Sequence, residues 1–371
     1  MKFVIITHVP HFAFGDTYQG YSAYIREMNI WAKYVDELLI VAPLSKEEIT
    51  SIHLPYHHKN IRLYQIPAMS FTSPFNALKT IWNLPRISWQ IFRAMKRGTH
   101  LHLRCPGTIG LVGCLVQILF PNKKKTAKYA GNWDPKAKQP FSYKLQKRLL
   151  SNTVLTRNMK VLVYGKWPNQ TRNILPFFTA TYGNSKVAGI VRREFNTPYK
   201  FMFVGTLSPG KQPNYAIRLM ASLREKGVSC TMDFYGEGTE RDSMELNIKE
   251  LQLEEVVVLH GNQTSEVVEN AYKNAHFLML PSLSEGWPKV LAEAMFWGCI
   301  PVATRVSCVP WMLGNGERGI LLGDDYTKNV DQLLDILNSR DQLNKMAMVG
   351  QEWSHSYTLD RFEGEIKELL K

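Results

Sequence analysis

The sequence predicts an α/β protein: two Rossmann-like domains with parallel sheets facing a central cleft. Three observations predict the two α/β halves. Short apolar runs alternate with longer helix-like segments along most of the chain, the pattern of successive βαβ units. At 371 residues, 45% of them hydrophobic, the chain can fill more than one core. Charge also divides it. Residues 1–196 hold 28 Lys and Arg against 8 Asp and Glu, an excess of 20, whereas residues 197–371 hold 17 against 24, a deficit of 7.

In the first half, KFVIITH (2–8), ELLIVAP (37–43), IRLYQIP (61–67), HLHLRCP (100–106), TAKYAGNW (126–133) and MKVLVYG (159–165) read as strands. Between them YSAYIREMNIWAKY (21–34), a long stretch near 75–97, the apolar segment 109–120 and a basic segment near 140–151 supply the connections. The second half repeats the alternation. Its strands are KFMFVGTL (200–207), CTMDFYGEG (230–238), VVVLHG (256–261) and 276–282, with helices near 213–226, 239–251 and 265–274. GNSKVAGIVRREFNTP (183–198) is polar, charged and closed by a proline, so it marks the expected boundary between domains 1–190 and 197–355.

Five cysteines (105, 114, 230, 299, 308) form no CxxC pair and no cluster with His, so neither a zinc site nor a disulfide framework is expected, and no metal. The opening MKFVIITHVP is too short an apolar run for a signal peptide, and IGLVGCLVQILF (109–120) is too short to span a bilayer. The expectation is a cytoplasmic protein, soluble or peripheral on the inner face of the membrane. A strongly basic first domain predicts a polyanionic partner such as phospholipid headgroups, a pyrophosphate-linked acceptor or nucleic acid.

The stretch SEGWPKVLAEAMFWGCIPV (284–302) follows the buried run AHFLMLPS. It reads as strand, turn, helix, strand, with Pro288 in the first helical turn and Gly298 just past the helix end. A helix N-terminus at the carboxyl end of a strand suits an anionic or polar ligand. Glu285 in the loop and Glu293 in the helix lie about 8–10 Å apart along one ligand, too far to share a proton. They suit hydrogen bonds from two polyols, one at each end of a diphosphate; a capping Glu and a surface Glu are the plain alternative.

FVGTLSPGK (203–211), FYGEG (234–238), LHG followed by a helix (259–274), LPSLSEGWPKVLAEA (280–294) and GCIPVAT (298–304), in that order, resemble the nucleotide-sugar domain of GT-B glycosyltransferases, specifically the retaining family 4, also called glycosyl transferases group 1. The first half matches only in its α/β layout. The resemblance implies that Glu285 contacts the donor sugar and Glu293 the ribose, with backbone amides near Gly286, Trp287, Pro288, Lys289 and Val290 facing sugar and phosphate. Gly236 and Glu237 of the Tyr235–Gly238 segment fall beside base and ribose, and His260 with Gly261 at the base pocket. The resemblance also implies that residues 356–371 form a helix packing back on the first domain.

Lys211 opens the next helix, where its ammonium offsets charge on a departing diphosphate. The family's Gly-Arg-Leu is here Gly205-Thr206-Leu207, so one cation is missing, and either Lys211 acts alone or a first-domain residue such as Arg104 substitutes. Arg104 also stands where the family often has a His before a proline, with His102 two residues earlier. On one strand face, both side chains are expected in the cleft. GDTYQG (15–20) resembles the glycine loop that approaches donor phosphates through Gly20, although Gly15 and Gly20 serve equally as turn glycines. Asp134 is an acceptor base or a turn former. Residues 75–97 interleave Trp82, Trp89 and Phe92 with Lys79, Arg86, Arg93, Lys96 and Arg97, which suits an anionic membrane surface or a core-facing helix pair broken at Pro85.

These expectations amount to a metal-independent retaining hexosyltransferase. It takes a nucleoside-diphosphate sugar as co-substrate, needs no cofactor, and acts on a lipid-linked or polysaccharide acceptor in cell-surface glycan assembly. The rivals are a GT-B epimerase, which would turn over donor without any acceptor, or a phosphorylase, and a non-catalytic membrane or nucleic-acid-binding module, which leaves the ordered motifs unexplained.

Overall fold

In the computed structural model, which describes residues 1–45, 47–50, 52–69 and 73–371, the chain divides into two compact units. Met1–Phe177 and Glu363–Lys371 form the first, and Phe178–Phe362 the second. The polar stretch 183–198 therefore lies inside the second unit, held there by Arg193. Its guanidinium bonds the main-chain carbonyls of Tyr272, Ala275 and Trp297, which belong to two helix ends.

The first unit runs β1 (Lys2–Ile6), β2 (His11–Phe14), β3 (Thr17–Tyr21), α1 (Ser22–Ala32), β4 (Glu37–Pro43), β5 (His53–Pro55), β6 (Ile61–Ile66), α2 (Pro74–Arg97), β7 (His100–Cys105), α3 (Thr108–Val116), β8 (Lys124–Tyr129), α4 (Phe141–Leu150), β9 (Met159–Tyr164) and β10 (Ile174–Phe177). Among the described residues a parallel seven-stranded sheet takes the order β10-β9-β8-β7-β1-β4-β6. Phe3, Val4, Ile5 and Ile6 are all fully buried, as a central parallel strand covered on both faces requires.

Two expectations are corrected here. Residues 15–20 are not an open glycine loop. Gly15 (φ 54°) and Asp16 turn an antiparallel hairpin between β2 and β3, which pair Phe14 with Thr17 and His11 with Gly20. Gly-Asp between two alternating runs is a hairpin signal, and β5 adds a third strand. Nor does Pro85 break α2, which runs unbroken through it. Both Pro85 and Ile81, whose carbonyl loses its partner, face solvent, so water can replace the missing hydrogen bond.

The second unit runs β11 (Tyr199–Val204), α5 (Pro213–Glu225), β12 (Cys230–Tyr235), α6 (Arg241–Glu250), β13 (Val257–Leu259), α7 (Ser265–Asn274), β14 (Phe277–Leu280), α8 (Lys289–Phe296), β15 (Ile300–Thr304), α9 (Val309–Met312), β16 (Ile320–Leu322), α10 (Tyr326–Leu337), α11 (Arg340–His355) and α12 (Leu359–Leu370), whose last turns belong to the first unit. Its parallel sheet is ordered β13-β12-β11-β14-β15-β16. The order reverses between β11 and β14, and in the first unit between β1 and β7. Such switch points are where an open α/β sheet offers a crevice at its carboxyl edge.

Candidate functional site

The loops leaving β11 and β14 meet at the switch point of the second sheet. The Leu283 N–H bonds the Gly210 carbonyl at 2.9 Å, and beside this Lys211 Nζ lies 2.5 Å from Glu285 Oε1. Two residues assigned to phosphate and sugar from separate motifs thus form one ion pair. The carboxylate side chain is 8% exposed and the lysine 31%. An ammonium that spends one donor on Glu285 keeps two for a ligand.

The loop carrying Glu285 is fastened from below. Thr304 Oγ1 donates to the Ser282 carbonyl at 2.5 Å and Cys308 Sγ to the Gly286 carbonyl at 2.9 Å. Burial pushes the Cys308 thiol well up, which keeps it a donor. Pro288 is the residue before α8 rather than part of its first turn. No side chain caps that turn, whose N–H groups point along the helix axis toward the loop. At the other end Gly298 (φ 73°) closes the helix, with Gly298 N–H on Met295 and Cys299 N–H on Ala294.

Glycines let three strand-end loops interlock. A Cβ on Gly236 would lie 1.9 Å from the Gly205 oxygen, and one on Gly238 2.2 Å from that of Leu207. Main-chain bonds run from Gly205 to Tyr235, from Leu207 to Glu237 and from Gly236 to Gly261. Thr206, in the arginine position, is exposed. At the mouth of β12, Tyr235 stacks on His260 with centroids 4.7 Å apart and planes 7° apart, and His260 Nε2 meets Asp233 Oδ1 at 2.6 Å. This flat aromatic surface offers a nucleobase a stacking partner. Glu237 is engaged by Arg241 at 2.6 Å.

Glu293 departs from the expected picture. Its Oε1 accepts from Thr181 Oγ1 at 2.6 Å and its Oε2 from the buried Tyr272 hydroxyl at 3.1 Å. The Trp287 side chain is 7% exposed and packs against Trp311, Trp353 and Tyr357, so it anchors the loop. Arg305 follows β15 at the same sheet edge, an exposed cation that the motif reading passed over.

In the first unit the structure separates His102 from Arg104. His102 is fully buried: Nδ1 meets Thr126 Oγ1 at 2.8 Å, and the ring packs on Phe3 and Trp31. Burial lowers its pKa to about 3, so the ring is neutral and closed to any ligand. The cleft role expected of it is therefore wrong. Arg104 is 17% exposed, lies 5.6 Å from the Tyr24 ring and has Nη1 3.7 Å from Glu27 Oε1. Glu27 is buried and also pairs with Lys128 at 2.8 Å. Burial alone would raise its carboxyl, but Lys128 and Arg104 outweigh it and hold it below the ordinary range.

The motifs did not reveal Glu27, yet it is one of only eight acids before residue 197 and its helix position turns it inward. His8 was also missed. It leaves β1 at the first sheet's switch point, where a Cβ on Gly107 would lie 2.9 Å from its Nδ1. Burial, then the Arg104 charge, lowers its pKa, leaving a neutral imidazole beside a cation. Gly20 lies in β3, where a Cβ would come 3.1 Å from Ile25, so it serves packing. The Asp134 carboxylate accepts from Lys136 N–H at 2.8 Å, closing a turn over its own backbone. Among the described residues no group of three or more His, Cys, Asp or Glu could hold a metal ion.

Comparison with known proteins bears on this geometry. The family model described as glycosyl transferases group 1 matches residues 191–353. The N-acetylgalactosamine-N,N'-diacetylbacillosaminyl-diphospho-undecaprenol 4-alpha-N-acetylgalactosaminyltransferase of Campylobacter jejuni is 33% identical over 146 residues, 38% of each chain. The chain spans 36–39% of the length of the first curated relatives it matches. Among solved structures, the lipopolysaccharide outer core galactosyltransferase WaaB superposes with a TM-score of 0.72 at 13% identity, over 100% of this chain and 99% of that one. Anabaena Alr3699/HepE in complex with UDP gives 0.66 at 12% identity, over 100% and 98%. These likenesses establish the GT-B fold.

Proposed function

We propose that this chain, a group 1 glycosyltransferase by the domain at residues 191–353 and GT-B by fold, transfers a hexose-type sugar from a nucleoside-diphosphate sugar to a hydroxyl of a lipid-linked or polysaccharide acceptor, with retention at the anomeric carbon. The observation that carries the reading is the Lys211–Glu285 pair at the switch point of the second sheet. Uridine diphosphate is the first nucleotide to test, because HepE, similar in fold, was solved with it.

The base stacks on the Tyr235–His260 surface, and the diphosphate lies against Lys211 and the first turn of α8. Glu285 accepts from sugar hydroxyls while holding the ammonium in place. Glu293 receives the ribose after exchanging its bond from Thr181 or Tyr272 for a ribose hydroxyl. Leaving-group charge falls on Lys211 and main-chain amides, with Arg104 the cation of the acceptor-binding first unit. His8, an imidazole that feels the Arg104 charge, takes the place left by His102. Protein groups alone serve the diphosphate, so the rate is expected to survive a chelator.

Chemistry at a lipid-linked acceptor calls for a membrane surface. The C. jejuni relative is named for a diphospho-undecaprenol substrate, and α2 exposes Phe75, Leu78, Trp82 and Trp89 beside Lys79, Arg86 and Arg93. Bulky apolar groups ringed by cations complement an anionic bilayer, each cation adding about 1 kcal/mol near the surface. Among the described residues no helix is long and apolar enough to cross a membrane. The test is transfer of labelled sugar from a panel of nucleoside-diphosphate sugars to polyprenyl-diphosphate-linked glycans, with the product's anomeric configuration read by NMR. An axial donor giving an axial product supports retention, whereas donor turnover without an acceptor favours the epimerase.

A further inference from the structure

The amino-terminal edge of the first sheet holds a basic cavity that the proposed reaction does not use. It measures about 680 Å³ and is walled by the starts of β7, β8 and β9, the segments preceding β9 and β10, and the end of α12. Lys124, Lys125, Arg157, Lys160, Arg172 and Lys371 line it, and no Asp or Glu side chain does. Lys124 Nζ bonds the main-chain oxygen of Lys371, and Lys371 Nζ pairs with Glu368, so these two are partly engaged. Arg157, Lys160 and Arg172 make no side-chain hydrogen bond or ion pair among the described residues; Lys160 interacts with Glu368 only through its field.

Two buried groups form the wall behind them. Lys125 is 2% exposed and bonds only neutral acceptors, Gln117 Oε1 at 2.8 Å and the Phe120 carbonyl at 3.1 Å. Its charge thus meets no carboxylate, and burial lowers its pKa to about 8. His100, also 2% exposed, meets Thr126 Oγ1 through Nε2 at 3.0 Å, while its buried Nδ1 has no hydrogen-bond partner. Unpaired buried polar atoms are costly and rare in a folded chain.

We propose that this cavity is a second binding site, taking a compact polyanion with two or more phosphate groups. Arg157, Lys160 and Arg172 receive the outer oxygens, and the innermost oxygen accepts a hydrogen bond from His100 Nδ1–H once Thr126 donates to Nε2. A half-open basin of this size holds a small polyphosphate among its cations, and guanidinium groups match phosphate with paired donors. The site depends on neither the donor loops nor the proposed transfer reaction.

Calorimetric titration of the full chain with inorganic tripolyphosphate tests it, because the second unit also offers a diphosphate surface at Lys211. Binding should persist in Lys211→Ala and weaken at least about tenfold when Arg157→Ala, Lys160→Ala and Arg172→Ala are combined. All three are exposed, so the melting temperature should hold; if it falls, Lys160→Glu alone makes the same test. In ¹⁵N NMR the His100 Nδ1 signal should move from the acceptor to the donor range as tripolyphosphate is added. Wild-type binding by the triple variant, complete loss in Lys211→Ala, or equal competition by a single-stranded oligonucleotide would overturn the site.

Discussion

Replacing Lys211 with alanine removes, among the described residues, the one cation that touches Glu285 and leaves that carboxylate alone at the proposed diphosphate site. Turnover should fall about 10²-fold or more. Because the lysine is nearly a third exposed, stability should change by no more than about 1 kcal/mol. A kinetic loss matched by an equal loss of folding would instead make the pair structural. Glu27→Gln should behave in the opposite way. It strips the counter-charge from Lys128 and Arg104 in a closed interior, where breaking such a group costs about 3–5 kcal/mol, and urea unfolding should register it. His8→Ala should impair turnover while leaving the urea midpoint nearly unchanged, since the residue lies two positions beyond β1 and is exposed.

The elements that hold these residues rest on backbone fit. Gly236→Ala would place a methyl carbon within 1.9 Å of the Gly205 oxygen, so the loop must part from its neighbour; loss of nucleotide affinity should exceed loss of stability. Arg193→Lys keeps a charge but cannot reach the carbonyls of Tyr272, Ala275 and Trp297 together. Hydrogen bonds from a charged donor are worth about 1.5–3 kcal/mol each, so the second unit should unfold at visibly lower urea in either Arg193→Lys or Arg193→Ala. These elements show what could be read beforehand. ELLIVAP and the helix at 265–274 are legible to the residue, because apolar runs and strand–helix alternation are local signals. The Lys211–Glu285 meeting was not legible, since sequence spacing carries no strand order. His102 misled because alternation along β7 does not say that both sheet faces are covered, and Arg193 passed for a linker charge because its partners are distant carbonyls.

Across the whole molecule, burial lowers His11, His100 and His276 to about 4 and His102 to about 3, against 6.5 in an open chain. The unfolded chain therefore binds more protons through that window, and stability must fall as pH drops from about 6.5 toward 4. Three of the four rings belong to the first unit, which should lose stability first when urea unfolding is repeated at successive pH values. A flat profile would mean that these rings take up protons without unfolding. The central claim, that the second unit holds a nucleoside-diphosphate sugar at Lys211 and Glu285, is met most directly by thermal unfolding with uridine diphosphate and other nucleoside diphosphates, on wild type, Lys211→Ala and Glu293→Ala. At 100 times its dissociation constant the right nucleotide should add about 2.7 kcal/mol, a shift lost or much reduced in both variants. Stabilisation by none of them, or undiminished stabilisation of Lys211→Ala, would contradict it.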